Sequence, residues 1–306
     1  TYNNRFSDVT SSHWAAGTIQ AAADQNIING FEDGTFQPDG DVTTLQVWKM
    51  LVCAANFGTE AEASGGWPTG YANVANNRMD LNNGVASGDM NAGAERGNVI
   101  KMVYNALMAP FNQLSGTENG MLQYSAPFTW AKTKFNVVED RGVLSATSTS
   151  SMSESYRPQS GYIYIDDTQY ACALTDIDSY VGSTVTYYYQ EDNLGGLTVV
   201  SIAPDTLRNE TVEIDVDEIE SFSGFATGNG QIKLVSSSRT YDVSEAVVIY
   251  NGAEITNAAF ETAKAADPDR IPASMTYDDF LRPRAGSLRL VDNDSERGYD
   301  IVYIES

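Results

Sequence analysis

Four carboxylates near residue 300 have the spacing of a calcium-binding loop, with oxygen atoms at its first, third, fifth and ninth positions. They are Asp292, Asp294, Glu296 and Asp300. Arg297 stands at the sixth position, where such loops carry glycine, and Tyr303 stands at the twelfth, where they carry a bidentate acid. Two interpretations stay open: a calcium site, with Ca²⁺ as the one cofactor, or a polar hairpin turn between Leu290 and Ile301.

Residues suited to catalysis are scarce. His13 is the single histidine, which excludes most Ser–His–Asp, Cys–His and multi-histidine metal sites, and its place beside Trp14 predicts a surface or capping role. Adjacent acids such as Asp166 and Asp167 are typical of solvated loops. A glycosidase would need two carboxylates across a sugar-sized cleft. The sequence therefore predicts a protein that is not an enzyme.

The charge balance limits the choice of partner. The chain carries 41 acidic and 18 basic residues, a formal net charge of -23, which argues against nucleic acid and anionic membranes because both are negative. A run of about 18 apolar residues is absent from the sequence, so no membrane insertion is expected. The chain starts at Thr1, which fits a chain cleaved from a signal peptide and equally one cut at another boundary, so the expectation of secretion comes from other features of the sequence.

The two cysteines do not form a recognised motif. Cys53 and Cys172 lie far apart and outside any C-x-x-C spacing, so neither a disulfide framework nor a zinc cluster is encoded. Either two free, buried thiols or one bridge between domains is expected.

A helix–loop–helix pattern positions the first group of candidate residues. Ser12 is the expected N-cap of a helix that reaches about Asn26. Gly30 and Gly34 suit backbone positions with positive φ, and Pro38 blocks helix continuation. A second amphipathic helix is expected to start between residues 41 and 44.

A second copy of this pattern follows about 52 to 54 residues later, within the range of helical repeats. Three pairs of residues correspond: Trp67 with Trp14, Gly84 with Gly30, and Val99 with Val47. Trp130 and Ala131 correspond only faintly to a third copy, since no glycine turn follows them.

Several motifs of the first copy together resemble the S-layer homology domain of bacterial cell-surface proteins. They are Phe6-x-Asp8-Val9, Trp14-Ala15, Ile28-Asn29-Gly30, Asp33-Gly34-Thr35-Phe36-x-Pro38 and Val42-Thr43. The second copy, with Trp67-Pro68-x-Gly70-Tyr71 and a helix from Glu95 to Leu107, is similar to later repeats found in anaerobic Gram-positive bacteria. The resemblance covers about the first third of the chain.

The resemblance implies a helical bundle, usually of three repeats, whose grooves hold pyruvylated secondary cell-wall polysaccharide. A Thr-Arg-Ala-Glu string at the second helix supplies the cationic contact in that family. The first copy has Thr43-Thr44-Leu45-Gln46 and lacks the arginine, whereas the second copy keeps Arg96. The glycan-binding candidates that follow are Asp8, Trp14, Trp67 and Arg96.

Beyond residue 136 the apolar pattern changes to a period of two, which indicates strands. The expected fold class is α+β, multidomain, with two antiparallel β-rich domains of barrel or sandwich type after the repeats. Their pattern resembles β modules of clostridial surface proteins. The expected boundaries are two repeats over 1–110 (about 1–58 and 64–110), a linker over 111–136, and β-rich domains over 137–204 and 205–306, the second with a helical insertion.

These features predict a non-catalytic, extracellular structural protein of the bacterial envelope that forms homo-oligomers as a layer or filament. Two repeats leave apolar faces that a third would cover, so a neighbouring copy is the expected partner. The tyrosines at 187–189 favour packing and subunit contact over glycan binding. The alternative is a surface binding or adhesion protein anchored to wall polysaccharide through the repeats.

Overall fold

The computed structural model of the protein describes residues 5–118, 121–153, 156–237, 239–294, 296 and 298–305. It divides into two units, Thr1–Asn136, which is rich in helices, and Val137–Ser306, which is rich in strands. The mixed α+β class expected from the sequence is confirmed.

Helices of the first unit follow the two predicted copies. They are α1 (Ala16–Asp24), α2 (Thr44–Ala54), α3 (Gly58–Ala63), α4 (Thr69–Asn77) and α5 (Arg96–Met108). Helices α1 and α2 belong to the first copy, α4 and α5 to the second, and the short α3 between them was not predicted. None of the helices in the described part of the chain is both long and apolar enough to cross a membrane.

The caps of α1 and α2 differ from each other. Helix α1 begins only at Ala16 and has no side-chain cap, so the predicted Ser12 cap is wrong; the Ser12 hydroxyl instead contacts that of Thr10. Helix α2 begins with a capping box, in which Thr43 Oγ1 accepts the N–H of Gln46 and Gln46 Oε1 accepts the N–H of Thr43. The second helix of the repeat therefore has a locally specified start.

Two apolar clusters hold the first unit together. One surrounds α1 and contains Phe6, Val9, Ile19, Ala23 and Ile28. The other joins α2 to α5, and its largest fully buried side chains are Trp48, Phe57, Leu81 and Met102. The helices thus bury the stripes that their sequence period predicts.

Residues 111–136, expected to be a linker, contain regular structure. Strands β1 (Gln113–Glu118) and β2 (Met121–Ser125) pair as an antiparallel hairpin, and α6 (Trp130–Phe135) follows with Thr129 as its N-cap. Trp130 packs against the α2–α5 cluster, and its N–H donates to Ala109 O. The segment is therefore tied to the helical unit.

The second unit starts with a closed barrel. Its strands are β3 (Val137–Ala146), β4 (Tyr162–Ile165), β5 (Thr168–Cys172), β6 (Thr184–Glu191) and β7 (Leu197–Pro204). The order around the barrel is β3-β4-β5-β7-β6, and the β5–β7 pair is parallel although an antiparallel arrangement was expected. Tyr170, Tyr187 and Tyr189 pack edge to face or stacked at its core.

The remaining elements form two open sheets and two helices. They are β8 (Glu210–Asp215), β9 (Ile219–Ser223), β10 (Gln231–Leu234), β11 (Thr240–Asp242), β12 (Val247–Tyr250), β13 (Ala253–Glu254), α7 (Asn257–Ala266), α8 (Tyr277–Leu281), β14 (Ser287–Asp292) and β15 (Ile301–Ile304). One sheet has the order β11-β10-β9 and the other β13-β12-β15-β14-β8, with β12 parallel to β15. Helix α7 lies where the helical insertion is expected, near residues 257–266, and α8 is an additional helix.

The five-stranded sheet buries side chains on both faces. Successive residues of a strand point to opposite sides. Val248 and Val302 join the cluster that contains α7 and α8, while their neighbours Ile249 and Ile301 join the barrel cluster. Because the sheet shares its core with the barrel, the boundary expected near residue 204 lies inside one compact unit.

The turn between α1 and α2 depends on a crowded glycine. Gly30 has φ of +74°, and a Cβ there would lie 2.3 Å from the Phe6 ring and 2.7 Å from Thr35 O. Gly34 has φ of +79°, but nothing lies within 4 Å of a Cβ at that position. Both glycines avoid the steric cost of left-handed backbone, and only Gly30 also avoids a clash.

We expect Gly30→Ala to lower the free energy of unfolding of the helical unit by about 3 kcal/mol, from backbone strain plus overpacking. Gly34→Ala is the matched control and is expected to cost about 1 kcal/mol, from backbone strain alone. Urea unfolding followed by circular dichroism measures both. Equal losses for the two variants would contradict the role given to the Phe6 contact.

Candidate functional site

A cation and two aromatic rings meet where α2 faces the start of α4. The ammonium of Lys49 lies 5.4 Å from the ring centroid of Trp67 and 5.5 Å from that of Tyr71. The two rings are arranged edge to face with centroids 6.2 Å apart. Trp67 is 47% exposed, whereas Tyr71 is buried. We call Lys49, Trp67 and Tyr71 the cation–aromatic site.

Neighbouring side chains fix the buried end of this site. The Tyr71 hydroxyl donates to Glu62 Oε1 at 2.7 Å. Burial raises the pKa of Tyr71, and the hydrogen bond to Glu62 raises it further, so the hydroxyl stays a neutral donor. The exposed end offers an indole surface beside an ammonium group. A sugar that carries a carboxylate can stack on the Trp67 indole, and its carboxylate can pair with the Lys49 ammonium.

Of the four predicted glycan residues, Trp67 lies in the cation–aromatic site. Lys49 is not among the predicted residues, because the family's cationic contact belongs to the four-residue string at the start of α2 and Lys49 lies beyond that string. Lys49 is nevertheless the only basic residue between Arg5 and Arg78 in the sequence. That isolation is the signal that could have pointed to it.

Asp8 has a scaffold role in the structure. Its carboxylate accepts the N–H groups of Phe36 and Gln37 at 2.8 and 2.7 Å. Desolvation alone would raise the pKa of Asp8, but these backbone hydrogen bonds outweigh it and lower the pKa from its usual value. The charged carboxylate thus ties the chain before α1 to the loop before α2.

Trp14 and Arg96 lie in other surroundings. Trp14 is almost fully exposed, and its ring packs against His13, whose Nδ1 accepts the N–H of Ala15. Arg96 is the exposed first residue of α5. The structure therefore gives Trp67 a cationic neighbour, holds Asp8 in a turn, and leaves Trp14 and Arg96 on the surface.

The acidic loop of the second unit connects β14 to β15 as a hairpin. Carboxylate oxygens of Asp292, Asp294 and Asp300 lie within 4.8 Å of one another. Glu296 is the fourth predicted ligand. Its backbone N–H donates a hydrogen bond to Asp294 Oδ1. Arg297 lies outside the described residues.

Charge repulsion acts inside this loop. Burial raises the pKa of Asp300, the N–H of Asn293 lowers it, and the charges of Asp294, Asp292 and Glu296 raise it again, so that the net shift is upward. A divalent cation would offset this repulsion, and carboxylate oxygens are the ligands that Ca²⁺ prefers.

Both cysteines are free thiols in the structure. Cys172 is buried in the barrel core, while Cys53 of α2 is only partly buried, with its Sγ 4.0 Å from the Tyr71 hydroxyl. Burial raises the pKa of both thiols. Each behaves as a small apolar side chain.

The glycine turn held by Asp8 lies in a region similar to the S-layer homology domain, and this similarity indicates a place on the extracellular cell surface. Residues 5–43 match the family model of the S-layer homology domain. No solved structure matches the chain.

Several curated proteins match part of the chain. The chain is 34% identical over 106 residues to the Middle cell wall protein of Brevibacillus brevis and 30% identical over 106 residues to the Surface layer protein of Brevibacillus choshinensis. These matches cover 35% of the chain but only 10% and 9% of the relatives. The Cellulosome-anchoring protein of Acetivibrio thermocellus is 47% identical over 41 residues, which is 13% of the chain and 9% of that protein.

The calcium prediction for the β14–β15 loop can be tested by thermal melting. We expect about 1 mM Ca²⁺ to raise the melting temperature of the second unit by about 3–6 °C relative to chelator, the effect of a ligand at roughly ten times its dissociation constant. Asp294→Asn is expected to abolish the increase. Asp167→Asn, which removes an exposed carboxylate elsewhere, is the control and keeps it. An unchanged melting temperature in the original chain leaves the loop as a polar turn.

Proposed function

We propose that this chain is a non-catalytic structural protein of the cell surface, held on carboxylated wall polysaccharide by its helical unit. A surface structural or anchoring role follows from the S-layer homology domain. The observation that carries the finer proposal is the cation–aromatic site, in which Lys49 lies beside the half-exposed ring of Trp67. The relatives, which are named as a cell wall protein, a surface layer protein and a cellulosome-anchoring protein, support it.

Lys49 gives the first repeat a cation where the helix-start string has none. The Lys49 ammonium can reach a ligand that covers Trp67, because it lies 5.4 Å from the centroid of that ring. A carboxylate bound there gains a charge-assisted hydrogen bond, and its sugar ring gains contact with the indole. Arg96, exposed at the start of α5, offers a second cation in the second repeat.

The charge distribution supports attachment through the helical unit. Residues 1–136 hold seven of the 18 basic residues and only twelve of the 41 acidic ones. The β-rich unit therefore carries most of the excess negative charge. An anionic polymer is repelled less by the helical unit than by the rest of the chain.

Lys49→Gln is expected to weaken binding to purified cell-wall sacculi about tenfold, because a hydrogen bond to a charged group is worth about 1.5–3 kcal/mol. Trp67→Ala is expected to have an effect of similar size through lost stacking, and Arg96→Ala reports on the second repeat. A sedimentation pull-down with sacculi that carry pyruvylated polysaccharide measures all three.

Lys132→Gln serves as the control, since Lys132 is a partly exposed lysine of the same unit whose ammonium donates to Asn136 Oδ1. It is expected to bind like the original chain. If the original chain does not sediment with sacculi, attachment through this site is rejected. If only Arg96→Ala loses binding, the second repeat holds the glycan and Lys49 does not.

We further propose that copies of the chain assemble through the helical unit and the β-rich unit into a layer or filament. The outward side of α5 supports this proposal. Ile100 is 70% exposed there, and Val103, one turn further, is exposed on the same face. In proteins with three such repeats, the third repeat would cover a face of this kind. We propose that a second copy of the chain covers it here.

We expect Ile100→Glu to weaken self-association at least tenfold in sedimentation velocity, because a charge would be buried in an apolar contact. Leu194→Glu is the matched control: Leu194 is 96% exposed in the turn after β6, far from any helix of the repeats in sequence. Its association is expected to be unchanged. A similar loss in both variants would show that added negative charge, and not the α5 face, governs association.

A further inference from the structure

One sheet edge in this chain differs from the others in its charge. A strand with unpaired N–H and C=O groups can pair with another chain, and proteins usually block such edges with charges, bulges or very short strands. The edges of the two open sheets in the second unit all carry acids. They are β8 with Glu210, Glu213 and Asp215, β9 with Glu220, β11 with Asp242, and β13 with Glu254.

The β1–β2 hairpin has one blocked edge and one open edge. Strand β1 carries a bulge between Leu114 and Gly116 and ends at Glu118. Strand β2 (Met121–Ser125) is continuous and contains no charged residue and no proline. Among the edge strands that the structure describes, β2 is thus the one without a charge, a proline or a bulge.

The hairpin also shows apolar surface. Leu114 and Tyr124 are direct cross-strand partners, so both side chains lie on one face, and they are 57% and 42% exposed. A two-stranded ribbon is marginally stable in water, and additional strands stabilise it. Addition of a strand to the ribbon is therefore favoured energetically.

Charge selects the strand that fits this edge. A chain with a net charge of -23 repels its own copies over most of its surface. Residues 111–136 are different, because they hold one acid, Glu118, and two bases, Lys132 and Lys134. Approach of two copies through this segment meets the least repulsion, and two uncharged β2 strands can pair without opposing like charges.

We infer that the open edge of β2 pairs antiparallel with β2 of a second copy, forming a four-stranded sheet across a two-fold axis. The axis passes through Gln123, the middle residue of the five-residue strand, because that register pairs every residue. Such a contact is isologous. The inference deepens the proposed self-association by naming a surface distinct from the α5 face.

Gln123 is suited to a charge test. It lies opposite Gly116 within the hairpin and is exposed, so a longer charged side chain there meets no cross-strand side chain of its own copy. Across the two-fold axis, however, residue 123 of one copy lies opposite residue 123 of the other. A charge at this position therefore affects the contact between copies more than the hairpin itself.

The experiment uses the full chain with Ile100→Glu, so that the α5 contact is already weakened, and measures the dissociation constant by sedimentation. The Ile100→Glu chain is expected to remain dimeric. Adding Gln123→Lys is expected to raise the dissociation constant at least tenfold through opposed lysines, and Gln123→Glu to do the same. An equimolar mixture of the Lys and Glu chains is expected to restore the dimer, which a merely unfolded hairpin would not do.

Thr117→Lys, which places the same charge on exposed β1, is the control and is expected to leave the dimer intact. Equal loss with Thr117→Lys, or no recovery in the mixture, overturns the inference. A monomeric Ile100→Glu chain also overturns it, but leaves association through α5 standing. A monomeric original chain removes both self-association proposals, while binding to sacculi is measured separately.

Discussion

The strand-rich unit depends on one sheet that buries apolar side chains on both of its faces. Strands β12, β14 and β15 alternate their apolar side chains between the barrel core and the core beneath α7 and α8. At the fully buried positions of these strands, a polar residue on either side would lie in an apolar cluster, so both faces are constrained at once. This explains why segments that look like separate strand-rich modules in the sequence fold as one unit.

In the helical unit, the residues that shape the repeat and the residues that offer chemistry are separate sets. Gly30 and Asp8 set the turn by close approach and by backbone hydrogen bonds. Lys49 and Trp67 come from two different repeats and meet only after the helices pack. The recognisable family motif therefore reports on the scaffold, and the exposed chemistry depends on tertiary packing.

The same division explains what could be predicted from the sequence. Positive-φ glycines, the start of α2 and the main strands follow from local chemistry, so they were predictable. The pairing of β5 with β7 and of β12 with β15 was missed because a period of two shows a strand but not its neighbour. Lys49 was missed for a similar reason, because the sequence does not show that it faces Trp67. The hairpin at 113–125 was missed because its strands are short and contain no run of β-branched or aromatic residues.

The capping box of α2 has an evolutionary consequence. The side chains of Thr43 and Gln46 each accept the backbone N–H of the other residue, which specifies the start of the helix. In the S-layer homology family, the charged glycan contacts lie in this same four-residue string. Folding of this repeat therefore does not depend on a charged residue in that string. Substitutions that change what the repeat binds can accumulate without loss of the fold, so repeats of this type can diverge in ligand while they remain recognisable as one family.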